Sequence, residues 1–248
     1  FPFPGKEGKM IAVLAAGLIP AILLMRWVYQ QDKIEREPVK LLLKIVAFGA
    51  ISCFPAMILE MIGTYIMEYL PLDPAGIPYG LIMNILVIGL SEEFVKRFAM
   101  KKPTYNNPEF NYTFDGVVYG VAAAMGFAGL ENVLYIMDFG FNVAPIRAVT
   151  AIPMHAICGV FMGFYYGQMK YAELCGDQPS AKKFWAQSLW IPAVLHGIYD
   201  FAASSESTAL SICWLIFVIV LDIYAFRALK SMAAQDRSIH QNDIFRSF

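Results

Sequence analysis

Eight ionisable side chains stand inside tracts that are otherwise apolar: Glu60, Glu92, Glu93, Glu131, Asp200 and Asp222, with His155 and His196. At bilayer depth each costs at least ~2.5 kcal/mol on insertion scales, so each is a functional-site candidate. Buried carboxylates and imidazoles together suit one chemistry well. A carboxylate tuned by desolvation and a nearby cation can act as a general base at neutral pH, and imidazoles can donate hydrogen bonds to a developing oxyanion. The combination points to water-mediated hydrolysis.

Helical spacing says which of these groups share a face. His155, Gly159, Gly163 and Gly167 recur every four residues, a small-residue stripe of the kind that lets membrane helices pack closely, so His155 is expected to face protein. Gly116, Gly120, Ala124 and Ala128 make a second stripe, which Glu131 continues. His196 and Asp200 form an i,i+4 pair. Glu92 and Glu93 lie about 100° apart around their helix, so one can face a cavity while Lys96 or Arg97 holds the other. Each also has a plainer account: Glu92 and Glu93 as ordinary ion-pair partners, His196 with Asp200 as a helix cross-link, His155 as a satisfied core histidine. Glu60 and Asp222 share no stripe with the rest and are assigned to structure. Joint occurrence on four helices favours function.

Several chemistries are excluded by motif. There is no HExxH and no GxSxG. Tyr199-Asp200, with Asp222 on the next apolar tract, has the YD pair of intramembrane aspartyl proteases, but the GxGD partner is missing. A metal site built from Glu93, Glu131, His155 and His196 stays open, because two histidines plus carboxylate suit zinc or iron. Nothing in the spacing requires it, and no cofactor is expected.

The elements that position these residues follow from composition. Of 248 residues 58% are hydrophobic and only 16% charged, against about 25% charged in a soluble domain, which excludes an ordinary soluble enzyme. Net charge is −1, so nothing points to nucleic acid. Cys53, Cys158 and Cys213 lie in apolar tracts, Cys175 in a polar one, and no CxxC exists. Apolar tracts at 10–29, 40–61, 77–99, 114–137, 146–169, 185–204 and 208–229 predict an all-α polytopic bundle of about seven transmembrane helices. Segment 61–79 would make eight if it forms a short re-entrant or amphipathic helix. The first nine residues, FPFPGKEGK, read as a leader remnant before a start at Met10. Residues 10–230 make one transmembrane domain and 231–248 a cytoplasmic tail. Every basic residue except Lys6, Lys9 and Arg147 falls on one side of these spans. Basic loops stay cytoplasmic, so the N-terminus is expected outside and the C-terminus inside.

The strings GLSEEFVKRF (89–98), FDGVVYGVAAAMGFAGLENVLYI (114–136), MHAICGVFMGFYYG (154–167) and VLHGIYDF (194–201) closely resemble the PrsW family of bacterial membrane proteases. Similarity reaches the first span and the EREPVK loop (35–40), covering Met10 to about residue 230. The wider superfamily, with the CAAX prenyl endopeptidases and bacterial Abi proteins, carries EExxxR, FxxxH and HxxxN patterns. Glu92, Glu93 and Arg97 match the first. Phe127 to Glu131 keeps the second spacing with Glu for His. His155 stands at the third histidine motif with Ala151 in place of Phe, and His196 to Asp200 is HxxxN with Asp for Asn.

The resemblance implies a glutamate-type intramembrane endopeptidase in a bacterial cytoplasmic membrane. Its partner would be membrane lipid and its substrate a single-span anti-sigma factor, cut on the extracytoplasmic side to release a sigma factor under envelope stress. Glu92 or Glu93 would activate water, His155 and His196 would stabilise the oxyanion, and Glu131 would hold or protonate the leaving group. Asn132 and Asp200 would orient the imidazoles, with Phe127, Lys96 and Arg97 in support. A metal-dependent variant of the same protease and a non-catalytic receptor or scaffold are the alternatives. A proton-coupled transporter is disfavoured by the absence of inverted halves.

Overall fold

The computed structural model describes residues 6–205 and 207–239, and within them the chain is helical throughout. The elements are α1 (Lys6–Tyr29), α2 (Val39–Ile51), α3 (Cys53–Met67), α4 (Ile77–Ile82), π-helical turns at Met83–Gly89, α5 (Leu90–Thr104), α6 (Asp115–Phe139), α7 (Ala144–Val149), α8 (Ala151–Leu174), α9 (Gln178–Ala203) and α10 (Thr208–Ala234). Six stretches are long and apolar enough to cross a membrane: Gly8–Tyr29, Val39–Met67, Ile77–Thr104, Asp115–Phe139, Phe141–Leu174 and Thr208–Ala234. The protein is therefore a multi-pass membrane helix bundle. The span expected at 185–204 is not among the six. Its helix, α9, has 26 residues and thus the length, but carries Lys182, Lys183, Gln187, Ser188, His196 and Asp200. The predicted remnant at 1–9 lies partly outside the described residues, as does 240–248 of the predicted tail.

The bundle is built around α6. Every residue from Thr113 to Gly129 is buried, so over this stretch the helix has no lipid face. The two glycine stripes explain how it is packed. A methyl group on Gly116 or Gly120 would run into the Gly163 or Gly159 carbonyl of α8. On the opposite side Gly126 abuts the Val46 carbonyl of α2, and Gly49 of α2 abuts the Ala123 carbonyl. Backbones can approach this closely only without side chains between them. The periphery is inverted relative to a soluble protein: Met57, Ile58, Met61 and Ile62 of α3 and Leu215, Ile216, Ile219 and Val220 of α10 are exposed, as a hydrocarbon solvent requires.

Three spans are interrupted, each for a local reason. Between α2 and α3 the Ser52 hydroxyl donates to the Gly49 carbonyl at 2.6 Å, and Pro55, lacking an N–H, cannot satisfy the carbonyl one turn earlier. Before α5 the helix widens into π turns, with the Asn84 side chain donating to the Gly80 carbonyl at 2.8 Å. Pro145 starts a separate short α7, and the break at Thr150 (φ −128°, ψ −64°) precedes α8. Segment 61–79 makes no eighth helix: α3 runs to Met67, α4 begins at Ile77, and the link between holds turn bonds such as Gly76 N–H to the Asp73 carbonyl at 2.8 Å.

At the basic end of the bundle, connecting segments fasten onto α6. Tyr119 donates to Glu37 Oε2 at 2.7 Å. Asp236 Oδ1 accepts from Thr113 Oγ1 at 2.9 Å and the Phe114 amide at 2.8 Å, and the Ile239 amide bonds the Asn111 carbonyl at 2.6 Å. The stretch read as a tail from 231 thus begins inside α10 and docks as far as Ile239. Burial pushes the Glu37 carboxyl up to about 7.

Candidate active site

Three helices, α5, α8 and α9, bring their ionisable groups to one point. Glu92, Glu93, His155 and His196 each offer a ligand-type atom, and these atoms all lie within 4.8 Å of one another, all four residues being buried. Glu92 is the sixteenth residue of the stretch Ile77–Thr104 and His155 the fifteenth of Phe141–Leu174, so the two lie at like distances from the starts of their stretches.

The first turn of α5 supplies both glutamates, and one lysine holds both. The Lys96 ammonium donates to Glu92 Oε2 at 2.8 Å and to Glu93 Oε1 at 2.9 Å. Its third proton goes to His155 Nδ1 at 2.9 Å, because an ammonium has no acceptor and the imidazole nitrogen must accept. The ammonium is fully buried and sits 4.1 Å from the centre of the Phe127 ring, a cation–π contact. Arg97, one residue on, points elsewhere: it donates to the Trp185 carbonyl at 2.9 Å and stacks 4.0 Å above the Trp185 ring. A step of about 100° per residue separates the two cations.

The imidazoles are held differently. With Nδ1 accepting from Lys96, His155 carries its proton on Nε2 and donates it to Glu131 Oε2 at 3.0 Å. His196 bridges two acids, with Nδ1 2.8 Å from Glu93 Oε1 and Nε2 3.2 Å from Asp200 Oδ2. It can donate to both only as the imidazolium. Its Nε2 is also 3.7 Å from Glu92 Oε2, and the two rings meet edge-on at 5.0 Å.

A cavity of about 720 Å³ opens onto this cluster, lined by Glu92, Glu131, His155, His196 and Asp200 together with Glu60, Asn84 and Arg147. Glu93 does not line it and is fully buried behind Glu92. Asn132 does not touch an imidazole as expected. Its Oδ1 accepts from Arg147 Nε at 2.8 Å, while Arg147 Nη2 reaches Glu131 Oε2 at 2.6 Å and the guanidinium lies 3.7 Å from the Tyr135 ring. Arg147 is the site residue that spacing missed. Its signal was its side: with Lys6 and Lys9 it is set apart from all the other basic residues, which fall at the opposite ends of the apolar tracts. Glu60, assigned to structure, is on the cavity wall, and Asp222 lines a separate apolar groove with Leu24, Trp27 and Val160. Asp200 and Asp222 therefore make no aspartyl dyad.

The comparisons with known proteins agree with one another. Residues 37–225 match the model of the PrsW family intramembrane metalloproteases. The chain is 30% identical to Protease PrsW of Bacillus subtilis (strain 168) over 95% of its own length and 100% of the relative's. It is 34% identical to Protease PrsW of Geobacillus kaustophilus (strain HTA426), covering 77% and 79%, and 29% identical to that of Clostridioides difficile (strain 630), covering 82% and 84%. No solved structure matches the chain.

The family's description implies a metal, and two carboxylates with two imidazoles are donors zinc accepts. The arrangement does not fit one as it stands. The point on which Glu92 Oε2, Glu93 Oε1 and His155 Nδ1 converge is held by the Lys96 ammonium. Zinc at its usual ~2.0–2.2 Å from those atoms would occupy the ammonium's own space. Glu93 Oε2 and Glu92 Oε1 are the cluster oxygens that accept no hydrogen bond from a described residue, while both nitrogens of each imidazole are engaged, so a metal would find two free donors where a closed zinc site takes four.

Proposed function

The chain belongs to the PrsW family of intramembrane proteases, and from that premise we propose that it cuts a single-span anti-sigma factor with water activated by Glu92. The observation that carries this reading is the asymmetry of the acid pair. Glu92 lines the cavity, and its Oε1 accepts no hydrogen bond from any described residue, whereas Glu93 is buried behind it with Oε1 committed to Lys96 and His196. Water bonded to Glu92 Oε1 gives up its proton there as its oxygen attacks the peptide carbonyl carbon. The same proton then leaves on the amine when the C–N bond breaks. His196, a cation whose Nε2 borders the cavity, is the donor for the oxyanion. His155 is a link rather than a donor: its Nδ1 accepts from Lys96 and its single proton goes to Glu131, whereas His196 carries two protons and the one on Nε2, held by Asp200 at 3.2 Å, is the one that turns to the oxyanion. It ties Lys96 to Glu131, and Arg147 and Glu131 flank the outer mouth, where the peptide ends separate.

The placement of the basic loops supports a topology with the N-terminus outside, α9 crossing as a seventh span, and the C-terminus in the cytoplasm of a bacterial cell. The cavity then opens toward the outer half of the membrane, which suits a first cut on the extracytoplasmic side and sigma-factor release in an envelope stress response. The test is cleavage of a candidate anti-sigma factor by the purified protein in lipid vesicles, with and without a strong chelator. Cleavage is expected to persist in chelator and to vanish in Glu92→Gln. A Glu92→Gln enzyme as fast as the parent would refute the reading.

A further inference from the structure

We infer that Lys96 is the site's resident cation: its ammonium fills the place a divalent metal would take, and so closes the cluster to metal. The inference deepens the reading of the same site, but concerns what occupies the cluster and stands whether or not Glu92 is the base. Three observations carry it. The ammonium is coordinatively complete, with three protons on three acceptors at 2.8, 2.9 and 2.9 Å. It is fully buried on α5, with the face of Phe127 4.1 Å away. Each acid around it already has a cationic partner: Glu92 and Glu93 share Lys96, His196 bridges Glu93 to Asp200, and Arg147 takes Glu131, three cations for four carboxylates. A divalent ion added at the same point would set two cations within a bond length or two, in a medium of low dielectric.

The consequence reaches His155. A metal on Nδ1 and an ammonium donating to Nδ1 both leave the proton on Nε2, so the ammonium already present is enough to set the tautomer. Lys96 is thus a positioning residue: it fixes the His155 tautomer and holds Glu92 Oε2 so that Oε1 remains for water.

The full-length protein in detergent tests this by metal binding, a readout separate from cleavage. Cobalt(II) is added to the parent, to Lys96→Met and to Lys96→Met/His196→Ala, with monodispersity and melting checked for each. The parent is expected to show no tetrahedral cobalt absorption, Lys96→Met to gain about one equivalent of bound cobalt, and the double variant to lose it again. A parent that retains about one equivalent, or a well-folded Lys96→Met that gains none, overturns the inference. Should Lys96→Met not fold, the parent alone decides. Nitrogen-15 spectra of its histidines are expected to show a neutral His155 protonated on Nε2, unmoved by added zinc, and a zinc-dependent shift of the Nδ1 resonance overturns the inference. Cleavage lost in Glu92→Gln with these metal results unchanged leaves the two readings separable.

Discussion

Glu92→Gln and Glu93→Gln are chemically the same change one residue apart, and the structure gives them opposite consequences. Glu93 Oε1 accepts from two cations, Lys96 and His196, at 2.9 and 2.8 Å. Hydrogen bonds to charged groups contribute about 1.5–3 kcal/mol and neutral ones about 0.5–1.5 kcal/mol, so neutralising Glu93 weakens two bonds by roughly 2–3 kcal/mol together. In a chain of this size each kcal/mol moves the melting point by about 2–4 °C, giving a drop of roughly 4–12 °C. Glu92 holds one such bond, to Lys96 at 2.8 Å, and its neutralisation is expected to cost about half as much. Activity runs the other way. Removing a general base costs about 10²–10⁴-fold, so Glu92→Gln is expected to be nearly inactive yet well folded. Glu93→Gln, measured well below its melting point, is expected to stay within about tenfold of the parent. Melting in detergent by intrinsic fluorescence and cleavage in vesicles read the two axes separately. An inactive Glu93→Gln that melts with the parent, beside an active Glu92→Gln, would refute the assignment.

Other expectations follow from separate parts of the fold. Gly120→Val drives a branched side chain into the Gly159 carbonyl, and is expected to cost more than about 3 kcal/mol and to abolish monodisperse protein on gel filtration. Asp222→Asn, in its own groove, is expected to leave cleavage within about twofold of the parent, and a loss beyond tenfold would reinstate an aspartyl route. Glu37 has its carboxyl raised to about 7 from the ordinary carboxylate value by burial, so the folded state binds the extra proton. Stability from this group is full below the unfolded value and is lost as pH rises toward about 7. Melting curves from pH 5 to 8 are expected to show that decline in the parent and a flatter profile in Glu37→Gln.

How much was legible in the sequence depended on whether a residue's surroundings are set by its own helix. The stripes Gly116–Gly120 and His155–Gly159–Gly163 are periodic, and the two helices they mark do pack against each other. The convergence of Glu92, Glu93, Glu131, His155 and His196 followed from which faces point inward. The contacts among them did not follow. Lys96 and Arg97 are adjacent and both cationic, and helical spacing alone allows either to reach the acids; which one does is decided by Trp185 on α9, which takes Arg97. Asn132 was misread for the same reason, since its partner Arg147 sits on α7, a helix that Pro145 and the Thr150 break cut out of the apolar run. Hydropathy is blind to that cut, although it does register the polar residues that keep α9 out of the six apolar stretches.

The π turns at Met83–Gly89 have a geometric meaning for the pair of acids that follows them. A π turn bonds i to i+5 where an α turn bonds i to i+4, so this stretch carries a surplus residue ahead of α5. One residue of α-helix is about 100° of rotation, which is the angle between Glu92 and Glu93. The surplus works as a shim: take it out, and Glu93 turns toward the bearing Glu92 now holds, while Lys96, turning with both acids, swings off His155 Nδ1. Which glutamate meets the water is in this sense a matter of backbone phase, settled one turn before either acid appears in the chain.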